Sequence, residues 1–204
     1  MPPPDTTAAV ILAAGPSRRM GQPKQLLQLA GRTLLHRAAS TALSSSSRPV
    51  IVVVGAHADQ LHHELSGLDL LVEENPAWMD GIGTSVRCGI EAVRRHPGAD
   101  SALLMLCDQP LVTPELIDQL VATHRRTGAR IVACEYADTV GVPALFGRGL
   151  FEELIALDGD IGARQVIARH ADEVVRVPFP AAAFDVDTPE DLARVRAQAQ
   201  RGRS

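Results

Sequence analysis

Aromatic side chains make up only 3% of this 204-residue chain, with one tryptophan and one tyrosine. The core must therefore be assembled from Leu, Val, Ile and Ala. Cysteine is scarce as well. Cys88, Cys107 and Cys134 are odd in number, far apart and without a Cys-x-x-Cys pair. That excludes a disulfide framework or a zinc site and fits a reducing cytoplasm. Cys107 abuts Asp108, yet reads as a small buried residue ending a strand rather than a reactive thiol. The seven histidines form no His-Glu-x-x-His or other ligand spacing, and the adjacent His62 and His63 read as surface residues. No apolar run reaches the ~20 residues that span a bilayer. Met1 to Thr7 has neither the basic region nor the apolar stretch of a signal peptide. A soluble, cytoplasmic protein without a membrane or nucleic-acid partner is expected, the last because the net charge is −4 where a general nucleic-acid binder is usually basic. Both common nucleotide loops are missing: there is no Gly-Lys-Ser/Thr ending of a P-loop, and no Gly-x-Gly-x-x-Gly follows a strand. The second absence argues against a dehydrogenase.

What is present is an alternation of short apolar runs and longer amphipathic stretches. Strands are expected at 8–13, 50–54, 68–72, 102–106, 130–134 and 174–177. Helices are expected at 33–44, 58–66, 84–95, 114–127, 148–157, 163–168 and 189–199. Several strands read as nearly continuous Val/Ile/Leu, the mark of a sheet buried on both faces. Two helices are well bounded: Thr113 caps and Pro114 starts one that ends before Gly128, while Thr188, Pro189, Glu190 and Asp191 open the last. This order predicts an α/β fold, a single three-layer α/β/α sandwich around a mostly parallel, Rossmann-like sheet with right-handed crossovers. No repeat or linker divides the chain. The expected domain spans 8–199, with a loose lead at 1–7 and a tail at 200–204.

Ligands of such sheets bind beyond the carboxyl ends of the strands, so the residues that follow each strand carry the functional signal. The first strand runs into Leu12-Ala-Ala-Gly-Pro-Ser-Arg-Arg-Met-Gly-Gln-Pro-Lys24. Gly15 and Gly21 permit close backbone approach, and Arg18, Arg19 and Lys24 concentrate positive charge without an intervening acid, a cradle for several phosphates. After 68–72 comes a long segment with Trp78, Gly81 and Gly83 before Thr84 and Ser85. It either offers backbone and hydroxyl groups to a base or ribose, or is a capped helix start with Trp78 as a packing anchor. After 102–106 comes Asp108. An acid at the end of a central buried strand is costly unless paired or bound to a cation, and Mg2+ takes one or two carboxylates completed by phosphates and water. Near the C-terminus, Asp185 and Asp187 share one face of an extended segment and either belong to ordinary helix-entry chemistry or supply a second carboxylate to Asp108.

Together these residues resemble the molybdenum-cofactor nucleotidyltransferases of the MobA-like NTP transferase family, within the glycosyltransferase-A-like superfamily, and in particular their cytidylyltransferase branch. The resemblance rests on 12–27, on Asn75-Pro-Ala-Trp-Met-Asp-Gly-Ile-Gly-Thr-Ser85, on Asp108-Gln-Pro110 and on Asp185-Val-Asp-Thr-Pro-Glu-Asp-Leu192. Two acceptor-side segments, Gly141-Val-Pro-Ala-Leu-Phe146 and Gly159-Asp-Ile-Gly-Ala-Arg164, add to it. It implies transfer of CMP from CTP to molybdopterin carrying molybdenum, with release of pyrophosphate and with a molybdoenzyme receiving the product. It also implies residue roles. Leu12, Ala13, Ala14, Gly15, Ser17, Arg18, Met20, Gly21, Lys24, Gly81, Ser85 and Asp108 would bind the nucleotide. Gly141, Pro143, Asp160, Gly162 and Arg164 would bind the acceptor. Arg18, Lys24 and Asp108 would be catalytic, with Mg2+ on Asp108 and Asp187 and Asp185 as the alternative second ligand. Guanylyltransferases of the family typically read Leu-Ala-Gly-Gly in the first block, so the methyl of Ala14 points toward cytidine. The alternatives are a related enzyme using GTP or acting on a sugar or polyol phosphate, and a non-catalytic nucleotide-binding accessory protein.

Overall fold

A computed structural model of the chain describes residues 6–17 and 21–201. Strand β1 (Thr6–Leu12) leads, through the loop and a single 3-10 turn at Lys24–Leu26, into a small hairpin, β2 (Gln28–Leu29) and β3 (Arg32–Thr33). There follow α1 (Leu34–Ser44), β4 (Val50–Val54), α2 (Ala58–Leu65), β5 (Leu71–Glu74), α3 (Ile82–Arg94), β6 (Ala99–Leu106) and α4 (Pro114–Thr127). The chain ends with β7 (Ile131–Tyr136), β8 (Thr139–Gly147), α5 (Phe151–Ile155), α6 (Ala163–Arg169), β9 (Val174–Pro178) and α7 (Pro189–Arg201). Seven strands form one sheet in the order β5-β4-β1-β6-β8-β7-β9. Only β8 runs antiparallel to its neighbours.

Strand alternation divides the core between the two faces. Ala9, Ile11, Val52, Leu103 and Met105 meet α1, α2 and α4 on one face. Ala8, Val10, Val53, Ala102 and Leu104 meet α3, α5 and α6 on the other. The three-layer sandwich is thus the expected one, for the expected reason: both faces of the central strands are apolar. A third, smaller cluster joins Leu27, Leu29 and Leu34 to Val186, Leu192 and Val195, so the C-terminal helix is stapled onto the segment that follows the first loop.

The caps behave as their chemistry dictates. Thr113 accepts from the Leu116 N–H at 3.3 Å, and Gly128 closes α4 with φ +66°. Thr188 and Asp191 form a reciprocal capping pair at the start of α7, as in a capping box.

Five features depart from expectation. β1 starts at Thr6, inside the anticipated loose lead, because Thr6 bonds to Gly98 just before β6 and Thr7 to Ser101 within it, and α7 extends to Arg201, into the anticipated tail. β5 starts at Leu71 rather than Leu68: Leu68 and Leu70 pack against the core from a turn after Gly67, so their apolarity reflects burial and not extended backbone. The hairpin β2–β3 turns on Ala30 and Gly31, both at positive φ. β8 was hidden by Gly141 and Pro143, which argue against a sheet-interior strand. The proline is tolerated because the β7–β8 register shifts there, Ala133 facing Ala144 and Cys134 facing Gly141, leaving no ladder donor required of Pro143.

α3 approaches the sheet through Gly89, where a β carbon would lie 2.5 Å from Val10 Cγ1 and 3.2 Å from Val53 Cγ2. Helix propensity favours Ala over Gly by ~1 kcal/mol, whereas overpacking a core costs roughly 1–3 kcal/mol. The contact should win. Gly89→Ala is expected to lower stability by about 1 kcal/mol in urea unfolding, with part of the loss recovered by Val10→Ala in the same chain; an unchanged or raised midpoint for the single variant would show slack between helix and sheet.

Candidate active site

The strand order reverses at β1, which lies between β4 and β6. A cleft of about 530 Å³ opens beyond the carboxyl ends of β1 and β6, where α/β sheets bind ligands. Leu12, Ala14, Gly15, Lys24, Gly81, Ser85, Asp108, Asp160, Asp185 and Asp187 all line it. Residues from the first strand, the middle of the chain and its C-terminal end thereby meet in one place.

The loop after β1 is held by Gln25, which is 1% exposed. Its amide donates to the carbonyls of Ala13 at 2.8 Å and Gly15 at 2.7 Å, and its oxygen accepts from the Ser17 hydroxyl. Ser17 in turn accepts from the backbone N–H of Lys24 at 2.9 Å. This side-chain clasp fixes the backbone from which Lys24 projects. Ser17 therefore works within the loop and does not line the cleft, and neither does Gly21. Ala13 is buried in the opposite face of the core, because consecutive residues of an extended chain face opposite ways. Ala14 takes the cleft side. A β carbon built on Gly55 would lie 2.9 Å from the Ala14 methyl and 2.6 Å from Trp78 Cβ, so these side chains fill the floor together. Arg18, Arg19 and Met20 lie outside the described residues.

Lys24 Nζ donates to Asp108 Oδ2 and, at 3.0 Å, to Asp187 Oδ1. Burial by itself would lower the Lys24 pKa, but the charge of Asp108 and the bonds to both carboxylates outweigh it and hold the ammonium above its ordinary value. Asp108 keeps Oδ1 buried and without a hydrogen-bond partner among the described residues. Asp187 is positioned by α7, since its backbone N–H and that of Thr188 donate to Asp191, and by Val186, whose N–H donates to the Asp108 carbonyl at 3.0 Å. Gln109 adds to the same join through bonds to the Val142 and Ala182 carbonyls. Cys107 is no nucleophile here: burial, then the neighbouring Asp108 charge, pushes its thiol up to about 12.

The opposite wall is the turn before α3. Buried Asn75 donates to Thr84 and Ser85, and Thr84 donates to the Ala77 and Gly81 carbonyls. Gly81 (φ +114°) lets the 158–160 loop approach so closely that a β carbon would fall 2.2 Å from the Gly159 carbonyl. The Gly83 N–H donates to that carbonyl at 3.0 Å. This contact brings Asp160 into the cleft.

The remaining acceptor-side residues separate from it. Gly141 and Pro143 are β8 residues, Gly162 caps α6, and Arg164 lines another hollow of about 280 Å³ with Val140, Ile167 and Arg176. Tyr136 stands between the two regions, raised in pKa by burial and then by Asp185, and lowered by Arg164. Sequence reasoning assigned no role to Gln25, Asn75 or Gln109. Their only signal was a polar amide beside each strand-end loop.

Residues 9–174 match the model of the MobA-like NTP transferase domain. The molybdenum cofactor guanylyltransferase of Rhizobium meliloti (strain 1021) is 30% identical over 201 residues, covering 93% of this chain and 90% of its own length. A crystal structure of an Rv0371c homologue from Mycobacterium sp. strain JC1 is 36% identical with a TM-score of 0.81, covering 96% of this chain and 97% of the other. Rv0371c of Mycobacterium tuberculosis H37Rv, solved in complex with manganese, is 30% identical with a TM-score of 0.76, over 95% and 99% of the two chains.

Asp185 is the strained member of the cluster. Burial, then the Asp108 charge, holds its carboxyl at about 6, against an ordinary 3.8. A raised acid pKa makes ionisation in the folded state unfavourable, so its contribution to stability falls as pH rises from 3.8 to about 6 and remains unfavourable above. Its solvent-facing side screens the effect. Without metal or nucleotide, Asp185→Asn is expected to raise the thermal midpoint at about pH 7.5 and to have a much smaller effect near pH 4. Equal shifts at both would contradict this.

Proposed function

Because the chain belongs to the MobA-like NTP transferase family, we propose that this nucleotidyltransferase moves CMP from CTP to the phosphate of molybdenum-bearing molybdopterin. An acceptor phosphate oxygen attacks the α-phosphorus in line, a P–O bond forms, and the bond to pyrophosphate breaks. Little covalent chemistry is asked of the protein, so positioning and charge neutralisation carry the rate.

The observation that carries the reading is the convergence of Asp108 and Asp187 on the Lys24 ammonium in the cleft beyond β1 and β6. Lys24 is assigned to the α-phosphate and the incoming oxygen. Arg18 is assigned to the β- and γ-phosphates and the departing pyrophosphate. The donor set fits a divalent ion: two carboxylates, one of which keeps a buried oxygen with no hydrogen-bond partner among the described residues. Mg2+ takes such a site, completing its shell with phosphate oxygens and water. Asp108 and Asp187 would hold it, with Asp185 as the alternative partner. Once bound, the ion neutralises charge on the phosphates. The manganese complex of the mycobacterial relative supports a divalent ion in this fold.

For the base, Ala14 supports cytidine: its methyl lines the cleft near Gly55 and Trp78 and takes up space that a larger ring would need. The guanylyltransferase relative favours GTP as the second reading. On the acceptor side, Asp160 is in the cleft; Gly141 and Pro143 are buried in β8, and Gly162 and Arg164 do not line the cleft. The choice of molybdopterin as acceptor rests on the family. The reducing cytoplasm is the proposed setting, with a molybdoenzyme receiving the product.

Pyrophosphate release with Mg2+, molybdopterin acceptor and CTP, GTP or ATP in parallel tests the whole reading. CTP should lead in kcat/KM by ~10-fold or more, one base-pocket contact's worth of discrimination, and Ala14→Gly should narrow its lead over GTP. GTP in the lead would establish the second reading, and CTP binding with no pyrophosphate from any acceptor would make the chain an accessory protein. Asp108→Asn should keep the fold by circular dichroism but lose ~100-fold or more of the Mg2+-dependent rate, since several kcal/mol of charge stabilisation go with it.

A further inference from the structure

The two carboxylates assigned to the divalent ion are already occupied by a cation of the protein's own. We propose that, before nucleotide binds, the Lys24 ammonium holds the place of the metal between Asp108 and Asp187, and that the ion enters only when a triphosphate draws Lys24 away. This rests on the reading that these carboxylates are the metal's ligands.

The geometry argues for a placeholder rather than a bystander. Lys24 Nζ bonds to both carboxylates at once, and the side chains of Lys24 and Asp108 are only 19% and 9% exposed. An ammonium and a divalent ion cannot share the same oxygens, and at such separations in a partly buried site their repulsion is large. The protein offers no further cage among the described residues, so a lone ion would have to displace Lys24 for two ligands and water. A triphosphate changes the balance from both sides. It gives the ion additional oxygens, and it gives the ammonium another anionic partner. The Lys24 backbone need not move, being fixed by Ser17 and the Gln25 clasp; only the four-carbon stem swings, a motion that suits lysine. Asp108 Oδ1 has no hydrogen-bond partner among the described residues, a position that the lysine does not use.

The experiment is a Mn2+ titration of the full chain, with free ion read by electron paramagnetic resonance and no acceptor present. Wild type should bind Mn2+ weakly alone. Lys24→Met, which removes the charge and keeps the stem, should bind it at least ~10-fold more tightly, because the competitor is gone. Lys24→Arg should stay near wild type, and adding Asp108→Asn to Lys24→Met should return binding to the weak level. A non-hydrolysable CTP or GTP analogue should tighten Mn2+ binding by wild type more than by Lys24→Met. Lys24→Gln serves if Lys24→Met does not fold. Unchanged or weaker Mn2+ affinity in the uncharged variants would overturn the proposal, as would tight Mn2+ binding by wild type alone. Because no acceptor or turnover is involved, failure of the pyrophosphate assay would refute the proposed reaction without altering this result.

Discussion

Lys24 bonds to partners 84 and 163 residues away in the chain, and much of the fold can be understood as what it takes to keep them together. A lysine side chain has considerable rotamer freedom, and an exposed ion pair is worth little. Here the backbone beneath it is clasped by Gln25 and Ser17, while Asp108 ends a strand buried on both faces. Asp187 is locked by a helix cap on one side and by Val186 on the other. Val186 belongs to the small apolar cluster that staples α7 to the segment after the β1 loop. That cluster is minor by area but decides the chemistry, since it closes the distance between the two ends of the chain.

Among the described residues, three carboxylates lie near one ammonium, Lys24, a poor way to stabilise a protein. At Asp185, burial first and the Asp108 charge second hold the carboxyl at about 6. A site in this condition gains from cations and from nothing else nearby, which is why its tension reads as function rather than architecture. The surface pairs elsewhere, such as His62 with Glu74 or Arg176 with Glu135, carry no comparable constraint.

The second wall of the cleft obeys a different rule. It depends on backbone meeting backbone: the turn at Gly81 and Gly83 against the loop at 158–160, with Asn75 and Thr84 satisfying the groups that this approach would strand. Charged side chains build one side of the cleft; on the other, absent side chains let backbone meet backbone and bring Asp160 in.

Local chemistry was enough to read the strand–helix alternation, the capped ends of α4 and α7, the two-faced central strands and the candidate residues at strand ends, because each follows from periodicity or from one residue's backbone preference. What escaped reading was non-local. β8 carries a glycine and a proline whose meaning depends on a register shift against β7, and Leu68 and Leu70 are apolar for a packing partner rather than for a strand. Ser17 and Ala13 share the phosphate-loop motif with Lys24, but only the folded chain turns one into a clasp and the other into core. Arg164 sits in a separate hollow because α6 packs beyond β8. By itself the sequence determined which residues could do phosphate and metal chemistry; the tertiary structure alone decided that Asp108 and Asp187 meet on Lys24, because no spacing along a chain encodes a distance created by packing its two ends together.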